Sequence, residues 1–427
     1  MRDHSIPRAI LVLVCAMGGT LCAQDTTELL NRMKAMEDRI KSLEAELQAM
    51  KGQQAALTAA MTAAQPSTPA PAQVPAAPAQ APEQAQAPAL GGLGGAAAKA
   101  LNPDISVIGD FLGAAGYGAH HGTPSLEMHE SEVGFQEVID PYARADFFIS
   151  FGEHGVDLEE GYITFTSLPA GLLLKVGKMR GAFGVVNTLH NHVLPWTDRP
   201  LVTQNVVGGE DGIDDAALSL SRILPAPKGI FLEGTAQLFR GDSDGIFRAP
   251  QRNDVSTIGH LRAYRDLSEA TNLTLGASYS RGHSFWGNGK NQLYGVDATV
   301  RWKPLRRSIY HSFVGRSELI WSRTTVSPDQ VPDTTFTHVE KPFGYYVSGD
   351  YQFGRRWFAG ARFDRSDRVT NAGLRDTGGS LVLTYWPSEF SQIRGQLRRT
   401  RYGENLTANE FLFQFQFSMG AHGAHPF

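Results

Sequence analysis

Along residues 102–427 apolar and polar side chains trade places with a period of two, which limits this part of the chain to β-structure with two unlike faces. Near the C-terminus Phe411, Phe413, Phe415 and Phe417 fall on one face and Leu412, Gln414, Gln416 and Ser418 on the other. Phe343, Tyr345, Val347, Gly349, Tyr351 and Phe353 oppose Tyr346, Ser348, Asp350 and Gln352 in the same way. So do Tyr294, Val296, Ala298, Val300 and Trp302 against Asp297, Thr299 and Arg301, and Phe313, Leu319 and Trp321 against Arg316 and Glu318. A soluble sandwich also alternates. Here, however, the second face carries charges of both signs beside Gly and Thr, as a water-filled interior requires. The apolar face sets Trp, Tyr and Phe near strand ends, where a membrane barrel carries its aromatic girdles.

The breaks between these runs alternate in length. They are short at 139–141, 168–171, 225–229, 266–271, 303–308, 354–356 and 387–389, and long at 117–127, 181–214, 240–254, 281–291, 323–341 and 366–379. The break at 402–408 is moderate, and 152–155 counts as an outer loop although it is brief. Short turns on one side and long loops on the other predict an all-β fold, a transmembrane antiparallel β-barrel of about sixteen strands, with both termini in the periplasm. The longest loop follows the fifth strand. A mean hydropathy of -0.23, with no run of roughly 20 apolar residues after residue 23, excludes a bundle of spanning helices. A net charge of -4 with interspersed signs lacks the basic patch of a nucleic-acid binder.

Upstream the composition differs. Residues 1–23 read as a signal peptide, with Arg2 and Arg8 before an apolar core at 10–17 and Ala23 at the cleavage position. Cys15 and Cys22, the two cysteines of the chain, both lie in it, so a mature chain crossing an oxidising periplasm carries no thiol. Residues 24–63 read as a periplasmic α-helical coiled coil. Met33, Ile40 and Leu47 occupy a, and Met36, Leu43 and Met50 occupy d. Arg32 with Glu37, Arg39 with Glu44 and Glu46 with Lys51 are opposite in sign across g and e, which favours parallel identical chains; a single amphipathic helix is the alternative. Residues 64–101 are an Ala/Pro/Gln-rich and then Gly-rich linker, either an extended spacer or a disordered tether.

The run ahead of the longest loop, LLLKVGKMRGAFG at 172–184, resembles the Val-Gly-Lys/Gln-aromatic run before the corresponding loop of phosphate-selective O/P-type porins. Over residues 102–427 the architecture resembles a bacterial outer-membrane porin, and a family of zinc-regulated outer-membrane receptors is a second candidate relative. The porin resemblance implies an outer-membrane location, lipid around the barrel, a homo-trimer, and a third loop folded into the lumen as a constriction. It also implies passive diffusion of small hydrophilic solutes or ions, with no cofactor and no enzymatic activity. The terminal Phe427 resembles the signal read by the barrel assembly machinery. Phosphate selectivity is not carried over, because the candidate bases have acidic companions.

Strand parity points Arg144 and Asp146, Asp297 and Arg301, Arg316 and Glu318, Asp350, and Arg362 and Asp364 into the lumen, together with Arg394 and Arg398. These groups either set a transverse field that screens solutes or brace the wall. Arg394 and Arg398 have no acid on their own strand and hint at anion preference. In the long loop His190, His192, Asp198, Arg199, Glu210 and Asp211 cluster in sequence, followed by Asp214 and Asp215. No spacing matches a defined metal site, so the reading is a solvated loop, with His190 and His192 as weak candidates for a divalent ion. Gly241–Asp242–Ser243–Asp244–Gly245 matches G-x-S-x-G formally but lacks the strand-to-helix context of a hydrolase elbow. Two other functions stay open: an outer-membrane to cell-wall tether that holds peptidoglycan through the coiled coil, and a metal-related receptor lacking a plug domain.

Overall fold

The computed structural model describes residues 103–118, 124–153 and 155–420, with Lys41 alone upstream. The expected signal peptide, coiled coil, linker and last residues lie outside the described residues, and the tether reading lies there with them.

Among the described residues seventeen strands form one antiparallel sheet. In chain order they are β1 (Asp104–Tyr117), β2 (Glu127–Asp140), β3 (Ala143–Gly152), β4 (Gly155–Phe165), β5 (Leu172–Arg180) and β6 (Asp214–Leu224). Then come β7 (Ile230–Phe239), β8 (Ser256–Ser268), β9 (Thr271–His283), β10 (Lys290–Trp302), β11 (Ser312–Val326) and β12 (His338–Glu340). The last are β13 (Phe343–Gly354), β14 (Trp357–Arg368), β15 (Asn371–Ser388), β16 (Ser391–Arg401) and β17 (Thr407–Gly420). β12 is a three-residue piece that pairs only with the end of β11, while β11 pairs along its length with β13, so sixteen strands make the wall. β1 pairs with both β2 and β17, in register from Ser106 opposite Gly420 to Tyr117 opposite Asn409, and this closes the barrel. Closure removes the free edges that an open sheet would leave unpaired.

The faces follow the alternation. Phe411, Phe415, Val296, Val347, Leu319 and Trp321 are exposed on the outer face, whereas Gln414, Gln416, Ser418, Asp297, Ser348 and Glu318 are buried on the inner one. The wall does not end where the sequence suggested at one loop. The break expected at 366–379 is strand: β14 and β15 continue past the apolar band to a tight turn, Asp367 opposite Arg375 and Arg368 opposite Asn371. Cross-strand ion pairs hold this polar extension, Arg375 to Asp367 at 2.8 Å and Arg368 to Asp376 at 3.1 Å. They explain why a charged stretch stays in the sheet.

The Val-Gly-Lys run lies in β5. Gly177 has φ +146, and a Cβ there would strike the Gly161 carbonyl oxygen and the Tyr162 backbone. The glycine therefore lets β5 approach β4 just before the chain leaves the wall at Arg180. The next connection, residues 181–213, includes a short helix, α1 (Leu201–Val206), that packs on β13 and β14.

Candidate functional site

Residues 181–213 bond to side chains of several strands, and each contact can be traced. Near its start, Ala182 N–H donates to Gln237 Oε1 of β7 at 2.7 Å and Gly184 N–H to Ser278 Oγ of β9 at 2.9 Å. Val185 and Val186 N–H both donate to Glu318 Oε1 of β11, at 2.8 and 2.7 Å. Farther on, Thr197 N–H donates to Gln396 Oε1 of β16 at 2.9 Å, and Leu201 N–H to Asp364 Oδ1 of β14 at 3.2 Å. Such buried backbone groups need partners once they leave the sheet ladder, and here the strand side chains supply them. Asn187 joins the two ends of the segment. Its amide donates to the Gly181 and Ile213 carbonyls, and its Oδ1 accepts from Ile213 N–H at 2.9 Å.

An apolar core stands behind these contacts. Phe183, Val186, Leu194, Trp196, Val202, Val206, Val207 and Ile213 of the segment pack with Met179, Phe239, Ile258, Leu293, Ile320 and Tyr346 of the wall and with Ile246 and Phe247 of the β7–β8 loop. Trp196 meets Tyr346 edge-on at 5.3 Å, and Arg362 lies 4.8 Å over the Trp196 ring. A uniformly polar interior is therefore not what the fold contains. Ile258, Leu293 and Ile320 occupy inward positions because they meet the segment rather than water.

On the other side the contacts are charged. Asp198 accepts from Arg362 at 2.9 Å and Arg398 at 2.8 Å. Burial pushes its carboxyl up, but the two guanidiniums outweigh this and hold it down at about 2. Arg199 turns inward on the segment itself, donating to Asn191 Oδ1 and to the Val186 and Leu189 carbonyls. His190 and His192 are buried, so the expected solvated loop is corrected. His190 meets Glu132 of β2 and Glu160 of β4 at 2.6 and 2.9 Å, and His192 meets Glu130 of β2 at 3.0 Å. Burial pulls the His190 imidazole down, yet its carboxylate partners raise it well above the usual histidine range. Glu210 pairs with His129 of β2 at 3.5 Å, and the Asp211 carbonyl accepts from Arg180. Asp110, His129, Glu130, Glu159, Arg180, Asp198, Arg199, Glu210, Asp211, Arg368 and Arg398 border one cavity of about 960 Å³. It thus has both signs of charge on its walls.

Of the sequence-predicted lining pairs, Arg144 reaches Asp146 at 2.7 Å and Arg362 reaches Asp364 at 2.8 Å. The structure corrects the others. Asp297 and Arg301 do not pair: four residues along a strand is about 13 Å, too far for an ion pair. Asp297 instead leans over Gly276 on the side of Arg262, with Oδ2 unbonded. Arg316 bonds Asp350 of β13 at 2.6 Å rather than Glu318, which the Val185 and Val186 amides occupy. Arg398 pairs with Glu410 of β17 at 2.7 Å as well as with Asp198, so it is no free cation. Arg394 donates to the Leu194 and Trp196 carbonyls and to Gln414. Ser243 is buried, its hydroxyl on the Asp214 carbonyl, in a loop between two strands, so no hydrolase elbow forms.

Sequence reasoning missed Glu130, Glu132, Glu159 and Glu160. The signal was hidden by two bulges. The β1–β2 register skips His129, and the β3–β4 register skips Glu159, so consecutive residues turn to the same side where strict parity would separate them.

No protein-family model matches the chain. A relative from Aquifex aeolicus (strain VF5), described only as an uncharacterized protein, is 29% identical over 391 residues, 77% of this chain and 81% of that protein. Among solved structures, an anion-selective porin from Comamonas acidovorans superposes with a TM-score of 0.51 at 10% identity, over 74% of this chain and 99% of that one. OprB of Pseudomonas putida, in its high-pH structure, gives 0.51 at 11% identity over 74% and 94%. These likenesses define the class of fold: the barrel is built as outer-membrane porins are built.

Proposed function

We propose that this chain is an outer-membrane porin through which small hydrophilic solutes or ions diffuse passively, with residues 181–213 as its constriction. What supports this reading is the set of bonds from residues 182–201 to β7, β9, β11, β14 and β16 of a closed barrel, beside a cavity bordered by both signs of charge. Fixed charges at a narrow point select solutes by size and sign. Solutes on this reading pass beside the charged cavity rather than through the apolar core, and the unit conductance is small for a barrel of this strand number. On this reading residues 1–23 direct export, residues 24–63 gather three chains in the periplasm, and the wall faces lipid.

The test is conductance of the purified protein in a planar bilayer under a salt gradient. Small discrete steps, in groups of three, support a trimeric porin, and the reversal potential gives the preferred sign. Silence from a barrel shown to be folded removes the reading.

A further inference from the structure

Two histidines of the segment and four glutamates of β2 and β4 converge in one buried cluster. His190 Nδ1 lies 2.6 Å from Glu132 Oε2 and 3.0 Å from Glu159 Oε2, while its Nε2 lies 2.9 Å from Glu160. His192 Nδ1 lies 3.0 Å from Glu130 Oε1 and 3.8 Å from Glu132 Oε2. Ligand-capable atoms of Glu132, His190 and His192 all fall within 4.8 Å of one another, as do those of Glu130, Glu132 and Glu159. Glu132 belongs to both sets.

The charges do not balance with neutral imidazoles. Four carboxylates meet one guanidinium in direct contact, Arg180, at 3.2 Å from Glu159, with the His129 ring 3.8 Å from Glu130 and Arg199 near Glu130 and Glu159. Buried carboxylates without partners are costly, so the cluster takes up either protons on both rings or a cation between them. We propose that it binds one divalent first-row transition ion, held by His190, His192 and Glu132 with Glu130 or Glu159 as the fourth ligand.

The donor set favours this class. Mixed imidazole nitrogen and carboxylate oxygen suits zinc, manganese or ferrous iron, whereas calcium takes oxygen alone. The spacing fits as well. With bonds of about 2.0–2.2 Å, a tetrahedral ion holds its ligand atoms roughly 3.3–3.5 Å apart, which small side-chain rotations reach from the present contacts. Glu160 completes the arrangement. It accepts from His190 Nε2–H and so leaves Nδ1 as the metal-binding nitrogen, the usual carboxylate support of a ligating histidine. Phe148 of β3 meets the His190 ring edge-on at 5.4 Å and fixes its plane. Glu130 and Glu159 also border the cavity, which gives the ion its way in. Bound there, it ties the 181–213 segment to the β2–β4 wall. The proposal does not depend on conduction.

The experiment uses full-length protein purified from membranes without an affinity tag, stripped with chelator and titrated with Zn²⁺ alone by calorimetry. We expect one Zn²⁺ per chain at micromolar affinity or tighter, and an X-ray absorption spectrum with two imidazole nitrogens and carboxylate oxygen. His190→Gln with His192→Gln lowers the affinity at least 100-fold, and Glu160→Gln about tenfold. His283→Gln with His338→Gln leaves it unchanged. If the double His190/His192 variant fails to fold, Glu132→Gln and the wild-type spectrum decide. No heat at micromolar Zn²⁺, equal affinity in a folded double variant, or a spectrum without paired imidazoles overturns the proposal.

Discussion

The Asp198 carboxylate accepts a hydrogen bond from Arg362 at 2.9 Å and so ties the 181–213 segment to β14. Arg398 of β16 shares the same oxygen at 2.8 Å, and all three side chains are largely buried. Without Asp198 each guanidinium keeps one carboxylate, Arg362 that of Asp364 and Arg398 that of Glu410, so the loss is that of charged hydrogen bonds, about 1.5–3 kcal/mol. Asp198→Ala is expected to lower barrel stability by that order in urea titration and to leave Arg398, at the cavity wall, with Glu410 alone. Unit conductance then rises and the reversal potential moves toward anion preference. Wild-type values for both would show that the tie neither holds the segment nor faces the path.

The same carboxyl sets a pH window. Its pKa is held at about 2, below the roughly 3.9 of an unfolded aspartate. A depressed pKa contributes stability that is fully present above the unfolded value and lost as pH falls through the folded one. The tie therefore persists from pH 8 down to about 4 and weakens between about 4 and 2. Any conductance change between about pH 4 and about pH 2 that depends on this tie should be absent in Asp198→Asn. A change in that window that survives in Asp198→Asn would assign it to another group.

The wall was legible in the sequence because a strand with one lipid face repeats at period two and the hydrogen-bond ladder follows automatically. Phe411 to Met419 and Phe343 to Phe353 announce their faces residue by residue. The interior was less legible, for two physical reasons. Its ion pairs form across strands, as Arg316 with Asp350 and Arg398 with Glu410, and register is not written along one strand. Its loop contacts bridge positions far apart in sequence, as His190 with Glu132, and local bulges at His129 and Glu159 break the parity on which the prediction relied. Likewise Trp196 and Leu194 look like loop residues until the barrel folds around them.

Arg301 of β10 tests which charges face moving ions. It has no ion pair among the described residues and lies exposed, while Arg262 and Arg316 nearby are paired with Glu233 and Asp350. A free cation at a solvated wall acts over a Debye length, about 10 Å at 0.1 M salt and about 3 Å at 1 M. Arg301→Glu should shift the permeability ratio toward cations several-fold at 0.1 M and much less at 1 M. Stability should stay within about 0.5 kcal/mol, since no buried contact is lost. An unchanged reversal potential at low salt would place Arg301 off the ion path.

Glu318 carries the other anchor of the segment. Its Oε1 accepts from the Val185 and Val186 amides, and Tyr346 OH approaches the same atom at 3.4 Å. Gly184, beside it, has φ +62, and a Cβ there would press on the Glu318 carboxylate, so the backbone is shaped to bring two successive N–H groups onto one oxygen. Glu318→Ala removes the acceptor and leaves both amides buried without a partner, at roughly 1–3 kcal/mol each. Glu318→Gln keeps a carbonyl oxygen in nearly the same place and should recover most of that loss. Tyr346→Phe removes only a long hydrogen bond and should cost about 1 kcal/mol or less. Urea titration of the three variants in detergent should rank Ala far below Gln, with Phe near wild type. If Gln were as destabilised as Ala, the anchor would rest on the negative charge itself rather than on acceptance of the two amide protons.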